Sequence, residues 1–145
     1  MKRLFVLAIC AIFVFSFANT VCAATEITVL INGEKAEFDV PPQIIGNRTM
    51  VPMRKTFDLL GAKVEWIAEM RMAVATYSTY IVSMPIGADS FTVTNVLTNE
   101  TVEHELDVPA QIVNDRTLIP LRAVSAALGK NVSWDGATST AKIDG

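Results

Sequence analysis

Apolar and polar residues alternate along two neighbouring stretches, Ile27, Val29 and Ile31, then Ala36, Phe38 and Val40. A period of two puts one set of side chains on one face, as in a half-buried strand. Asn32 and Gly33 lie between the stretches, and such a pair accepts the left-handed backbone of a two-residue hairpin turn. The pattern therefore predicts a hairpin. It returns later, where Phe91 and Val93 lead through residues 94–100 into Val102, Leu106 and Val108, with a turn about four residues longer. Val64 with Trp66, and Val132 with Trp134, begin further strands. Residues Ala73 to Met84 read as another hairpin and Thr140 to Ile143 as a last strand.

Two segments change period. Met53, Phe57 and Leu60, and likewise Leu121, Val124 and Leu128, recur at three- and four-residue spacing, which gives two short helices one apolar face each. Pro52 and Pro120 suit the first helical turn, where a missing N–H is harmless and φ is already set. Gly61 and Gly129 suit the left-handed stop. Helices this short do not stand alone in water, so they require a sheet to pack on.

The two patterns are copies of one motif. Residues 38–66 align without a gap to residues 106–134 at a constant offset of 68, with thirteen of twenty-nine positions identical. Asp39 matches Asp107, Arg48 matches Arg116, Arg54 matches Arg122 and Trp66 matches Trp134. Neither copy can bury its apolar face by itself. The expected fold is α+β: two pseudo-symmetric halves of antiparallel strands, about 26–84 and 85–145, each with one short helix and both sharing one core.

Ahead of this pattern, Lys2 and Arg3 precede an apolar run from Leu4 to Phe15, then a polar stretch and small residues at Val21 to Ala23. That order is a secretory signal peptide over residues 1–23, with cleavage after Ala23 or Ala24. The run is too short for the ~20 residues of a membrane span. Asn19 and Val21 are wrong for lipoprotein processing at Cys22. Both cysteines, Cys10 and Cys22, lie in the leader, so the exported domain over 24–145 has no disulfide or thiolate chemistry. All fifteen acidic residues but only ten of the twelve basic ones follow Ala23, which leaves that stretch five charges negative and argues against nucleic acid as a partner.

The phrases NRTMVPMRKTFDLLGAKVEW and DRTLIPLRAVSAALGKNVSW resemble the doubled signature of the copper amine oxidase N-terminal-like domain, also called the stalk domain. The likeness runs from about Ile27 to Ile143. Asn47 and Asp115 stand where the family usually has glycine before the arginine. The resemblance implies a non-catalytic domain found in secreted and wall-associated proteins of spore-forming bacteria. It does not imply copper: that chemistry uses three histidines and a modified tyrosine after asparagine, whereas this chain has one histidine and no Asn-Tyr pair.

Candidate ligand-binding residues are Arg48, Arg54, Arg116 and Arg122, whose planar guanidinium groups match an anionic polymer such as wall teichoic acid. Their recurrence at equivalent positions favours pairing with Asp39, Asp107 and loop carbonyls instead. Trp66 and Trp134 would stack on sugar rings if exposed, although their placement after each helix favours packing. His104 has no acidic or histidine cluster around it, and no nucleophile, metal or phosphate-binding pattern occurs. The expectation is therefore a secreted module with no catalytic, cofactor or metal site that binds a cell-wall polymer or another secreted protein. The alternatives are a self-assembling surface protein and the accessory module of a secreted hydrolase. The latter would need two converging carboxylates, for example among Asp39, Asp107 and Asp115, with one pKa raised.

Overall fold

The alternating stretches do become strands, although they pair in an order the linear pattern does not reveal. The computed structural model describes residues 25–145, so the expected leader lies outside them. Strands β1 (Thr28–Ile31) and β2 (Glu34–Lys35) form the first hairpin, with Ile31 opposite Glu34. Asn32 and Gly33 take φ of 50° and 85°, the double left-handed turn that suits a twisted hairpin. The ladder stops after Ala36, whose N–H reaches the Val29 carbonyl at 2.8 Å. Ala36 and Val40 still bury their side chains. Pro41 and Pro42 follow and have no N–H with which to extend a ladder.

The segments just before the helices carry a hairpin that the alternation of apolar and polar positions does not reveal. Strands β3 (Gln43–Ile45) and β4 (Arg48–Pro52) pair around Gly46 and Asn47. A matching hairpin in the second copy pairs Gln111–Val113 with Arg116–Pro120 and turns at Asn114 and Asp115. All four turn residues have positive φ. Here the glycine, asparagine and aspartate between β-branched runs were the available signal.

From β4 the chain enters helix α1 (Met53–Leu59) directly, with Pro52 as N-cap at φ −61°. The proline thus sits one step before the first turn, ending the strand and setting the φ with which the helix begins. Gly61, at φ 88°, follows the helix. Strands β5 (Lys63–Ile67), β6 (Met72–Tyr77), β7 (Tyr80–Pro85), β8 (Ser90–Asn95) and β9 (Glu100–Glu105) then form a five-stranded antiparallel meander. The β8–β9 hairpin runs two rungs further from its core pair, Phe91 and His104, than β1–β2 runs from Val29 and Ala36, and its turn has four residues instead of two.

The second copy continues with β10 (Gln111–Val113), β11 (Arg116–Pro120), helix α2 (Leu121–Leu128), β12 (Asn131–Asp135) and β13 (Thr140–Asp144). Gly129 caps α2 at φ 66°. Strand β11 pairs antiparallel with β4, so β10-β11-β4-β3 forms one sheet. Strand β13 returns to pair with β1, and β12-β13-β1-β2 forms another.

The β1–β13 pair is parallel, an exception to the expected antiparallel arrangement. These strands come from opposite ends of the domain, so no hairpin fixes their relative direction. Every sheet draws strands from both sides of residue 85. The result is α+β, mostly antiparallel sheets with two short helices.

The helix faces meet the sheets in one apolar cluster. Met53, Phe57 and Leu60 of the first copy and Leu121, Val124 and Leu128 of the second lie in it with Val29, Val82, Phe91 and Ile143. A smaller cluster of Met50, Val108 and Leu118 forms around the hairpin sheet. One polar side chain is trapped in this interior: Thr56 on α1 is fully buried and its hydroxyl finds no partner. The equivalent position on α2, 68 residues on, is Val124, also fully buried. An unpartnered buried hydroxyl loses its bonds to water without replacement. Thr56→Val should therefore raise the urea midpoint, with a gain of about 1 kcal/mol; a fall in the midpoint would show that the hydroxyl is bonded after all.

Candidate functional site

The pairing of β4 with β11 brings the turn of each repeat hairpin beside the aspartate of the other copy. Arg48 donates from Nε to Asp107 Oδ2 at 2.8 Å, with Nη2 on the same oxygen. Arg116 does the same to Asp39, with Nε at 2.9 Å from Oδ2. Each arginine also donates from Nη1 to the carbonyl of the residue before it, Asn47 or Asp115. Both pairs therefore cross between copies, and Arg48 and Arg116 are engaged in holding the fold. That is the aspartate-and-carbonyl pairing their recurrence favoured.

The two helix arginines differ. Arg122 on α2 closes towards Asp107, its Nη1 3.8 Å from Oδ2, so that one carboxylate faces two guanidinium groups. Its counterpart Arg54 on α1 has no acidic partner within ion-pair distance among the described residues.

This difference accompanies two unequal cavities. A groove of about 780 Å³ opens between α1, β5 and the turn of the second hairpin. Arg54, Lys55 and Asp58 of α1 line it, as do Glu65 and Trp66 of β5 and Arg116 of the turn. The equivalent place beside α2 holds only about 170 Å³, lined by Arg48, Asp107 and Arg122. There Ala123 and Ala126 replace Lys55 and Asp58. Phe91 and His104 also line the smaller cavity, their rings stacked at 5.1 Å and 22°.

The tryptophans are less buried than their placement suggested. Trp66 is 39% exposed and Trp134 43%. Each lies opposite a buried alanine, Ala73 or Ala141, two residues beyond Val64 or Val132 on the same strand face. A small methyl opposite each indole covers only part of it, and the rest remains exposed. Trp66 faces the larger groove, whereas Trp134 lines neither cavity.

Of the six candidates, the structure thus gathers Arg54, Arg116 and Trp66 in one groove, and Arg48 and Arg122 in the smaller cavity. Lys55, Asp58 and Glu65 were not among the candidates. Nothing in their local sequence distinguishes them from ordinary exposed helix and strand residues. Among the described residues no group of three or more His, Cys, Asp or Glu side chains is placed to hold a metal ion, and no helix is long and apolar enough to cross a membrane.

Electrostatics separates the paired carboxylates from acid–base chemistry. The hydrogen bond from Arg116 is the largest influence on Asp39 and holds its carboxyl below the ordinary value. The bond from Arg48, then its charge, does the same for Asp107, with a smaller contribution from the Arg122 charge. Asp39 reciprocally raises Arg116. A general acid needs the opposite shift.

Because both carboxylates titrate lower in the folded chain, their pairing stabilises the fold above the ordinary value of 3.8 and is lost as pH falls through the lowered folded values. Acid titration of the urea midpoint should therefore show a fall that Asp39→Asn and Asp107→Asn each flatten. Identical acid limbs in wild type and both variants would remove these pairs from the account of stability.

No curated protein matches the chain. The family model for the copper amine oxidase N-terminal domain matches residues 30–143. In the oxidases it is named after, that domain is non-catalytic. The match takes in both copies of the repeat, both cross-copy ion pairs and the groove, and on it the chain belongs to the copper amine oxidase N-terminal domain family.

Proposed function

We propose that the protein is a non-catalytic binding module, exported on its leader, that holds a cell-wall polymer in the groove between α1, β5 and the Arg116 turn. The observation that carries this reading is Arg54, without an ion-pair partner among the described residues, lining an open groove of about 780 Å³ together with a part-exposed indole. Concave sites of ~300–1,000 Å³ with a few converging polar groups are where proteins take ligands. A stalk-like domain with cross-copy ion pairs and a shared core is also a rigid mount, and rigidity limits the entropy lost on binding. We further propose that the two halves are related by a pseudo-twofold axis through β4 and β11, since Met50 lies opposite Pro120 and Pro52 opposite Leu118. The site is then one of two descended from a single ancestral groove.

Self-assembly has one observation in its favour. Every residue of edge strand β9 but His104 is exposed, and Val102 lies on it close to the exposed tip residues Val96 and Leu97. Glu100, Glu103 and Glu105 on the same strand oppose edge-to-edge pairing by like-charge repulsion. The accessory-hydrolase reading loses Asp39 and Asp107, which are held by arginines.

The test is co-sedimentation of residues 24–145 with purified cell wall, together with sedimentation equilibrium of the protein alone. Retention on the wall by a monomer is expected, reduced severalfold in Arg54→Glu and unchanged in Arg122→Gln. A protein left entirely in the supernatant would sink wall binding, and mass rising with concentration would favour self-assembly.

A further inference from the structure

The lining of the groove says more about its occupant than the arginines alone suggest. Its titratable side chains include Glu37, Asp39, Asp58, Glu65 and Asp115 against Arg54, Lys55 and Arg116. Arg116 is already spent on Asp39. Glu37 likewise pairs with Lys35 at 3.8 Å and Glu65 with Lys63 at 3.3 Å. That leaves Asp58 and Asp115 against Arg54 and Lys55, a balanced lining on an exported chain that is acidic as a whole, with fifteen acidic and ten basic residues after the leader. An extended polyphosphate would meet two cations already matched by two carboxylates, within the field of an acidic chain.

The same groups suit an uncharged ligand rich in hydroxyls. Carboxylates accept from O–H donors, guanidinium and ammonium groups donate to hydroxyl and ring oxygens, and neither requires the ligand to carry charge. Trp66 adds what such a ligand needs apart from hydrogen bonds. Its part-exposed indole lines the groove above Ala73, offering a flat apolar platform to the C–H face of a sugar ring. The cavity beside α2 has alanines at positions 123 and 126, is less than a quarter of the volume, at about 170 Å³ against 780 Å³, and has no tryptophan in its lining. It is an internal comparison within the same chain.

We infer that the groove binds an uncharged, hydroxyl-rich glycan stacked on Trp66 and hydrogen-bonded by Arg54, Asp58 and Glu65, and that the cavity beside α2 does not bind one. This inference rests on the groove being the binding site and deepens it by excluding the anionic wall polymers that the arginines first suggest. The source of the glycan, peptidoglycan strands or a neutral polysaccharide, is left to the probes.

The experiment is calorimetric titration of residues 24–145 with three probes: the β-linked tetramer of N-acetylglucosamine, the β-linked tetramer of glucose, and polyglycerol phosphate. At least one tetramer should bind, and polyglycerol phosphate should not. Trp66→Ala should weaken tetramer binding by about tenfold or more, and Arg54→Gln by a smaller factor. Trp134→Ala and Arg122→Gln should leave it unchanged. Urea midpoints for each variant would show that the fold survives.

The N-acetylated tetramer binding alone points to peptidoglycan strands as the source, and the glucose tetramer binding alone to a neutral polysaccharide. Binding of polyglycerol phosphate without either tetramer would overturn the inference and keep the groove, provided Arg54→Gln abolishes it. Tetramer binding unaffected by Trp66→Ala would overturn both the stacking and the site. Wall co-sedimentation with no affinity for any probe would overturn the glycan inference while the binding-module reading stands.

Discussion

The fold turns on three backbone pairs between β4 and β11, centred on Val51 opposite Ile119. Both residues are fully buried, as are their neighbours Met50 and Leu118 on the other face of the sheet. Burying aliphatic side chains of this size is worth roughly 1.5–3 kcal/mol each. The ladder is therefore fixed mainly by apolar burial, and the exposed ion pairs at its flanks add direction more than strength. Everything downstream inherits the position of these two strands. Pro52 and Pro120 end them and start the helices, so α1 and α2 leave from opposite ends of one ladder, and the core closes only when the chain has passed through both copies.

That dependence explains why the terminal strands cross over. A copy standing alone would hold two hairpins, a short helix and two or three further strands, and would lack the strands that complete the sheet beside its helix. The sheet beside α2 is completed by β1 and β2 from the start of the chain, and the sheet beside α1 by β8 and β9 from beyond residue 85. The parallel pairing of β1 with β13 is the trace of this exchange.

Local signals in the sequence were sufficient where the structure is local. The Asn32-Gly33 turn, the apolar helix faces and the meander from Ala73 to Met84 follow from spacing and turn chemistry. The strands around Gly46-Asn47 and Asn114-Asp115 carried a similar signal but were obscured by the helix punctuation that follows them. Long-range facts were out of reach. Nothing in the spacing says that Arg48 meets Asp107 rather than Asp39, because both aspartates precede their arginines by the same nine residues within each copy. The exposure of Trp66 was equally hidden. Its strand position implies burial, yet the indole, opposite the small Ala73, stays part-exposed.

The groove illustrates how one backbone can serve two purposes. Asp39 and Asp107 stay about half exposed beside the packed hairpins, and a turn arginine pairs with each across the copies. With the turn arginines in those pairs, the helix arginine is left over. On α2 the helix arginine lies 3.8 Å from Asp107 while staying largely exposed, and alanines stand at 123 and 126. On α1 the equivalent positions carry Lys55 and Asp58, the helix arginine has no ion-pair partner among the described residues, and the groove reaches Trp66. Lys55 and Asp58 are exposed, where substitutions cost little stability, whereas Ala123 is buried in the core, so one repeat can vary its groove while the matching helix of the other packs the interior. The larger groove is therefore placed where side chains are free to differ, on a frame whose buried ladder is not.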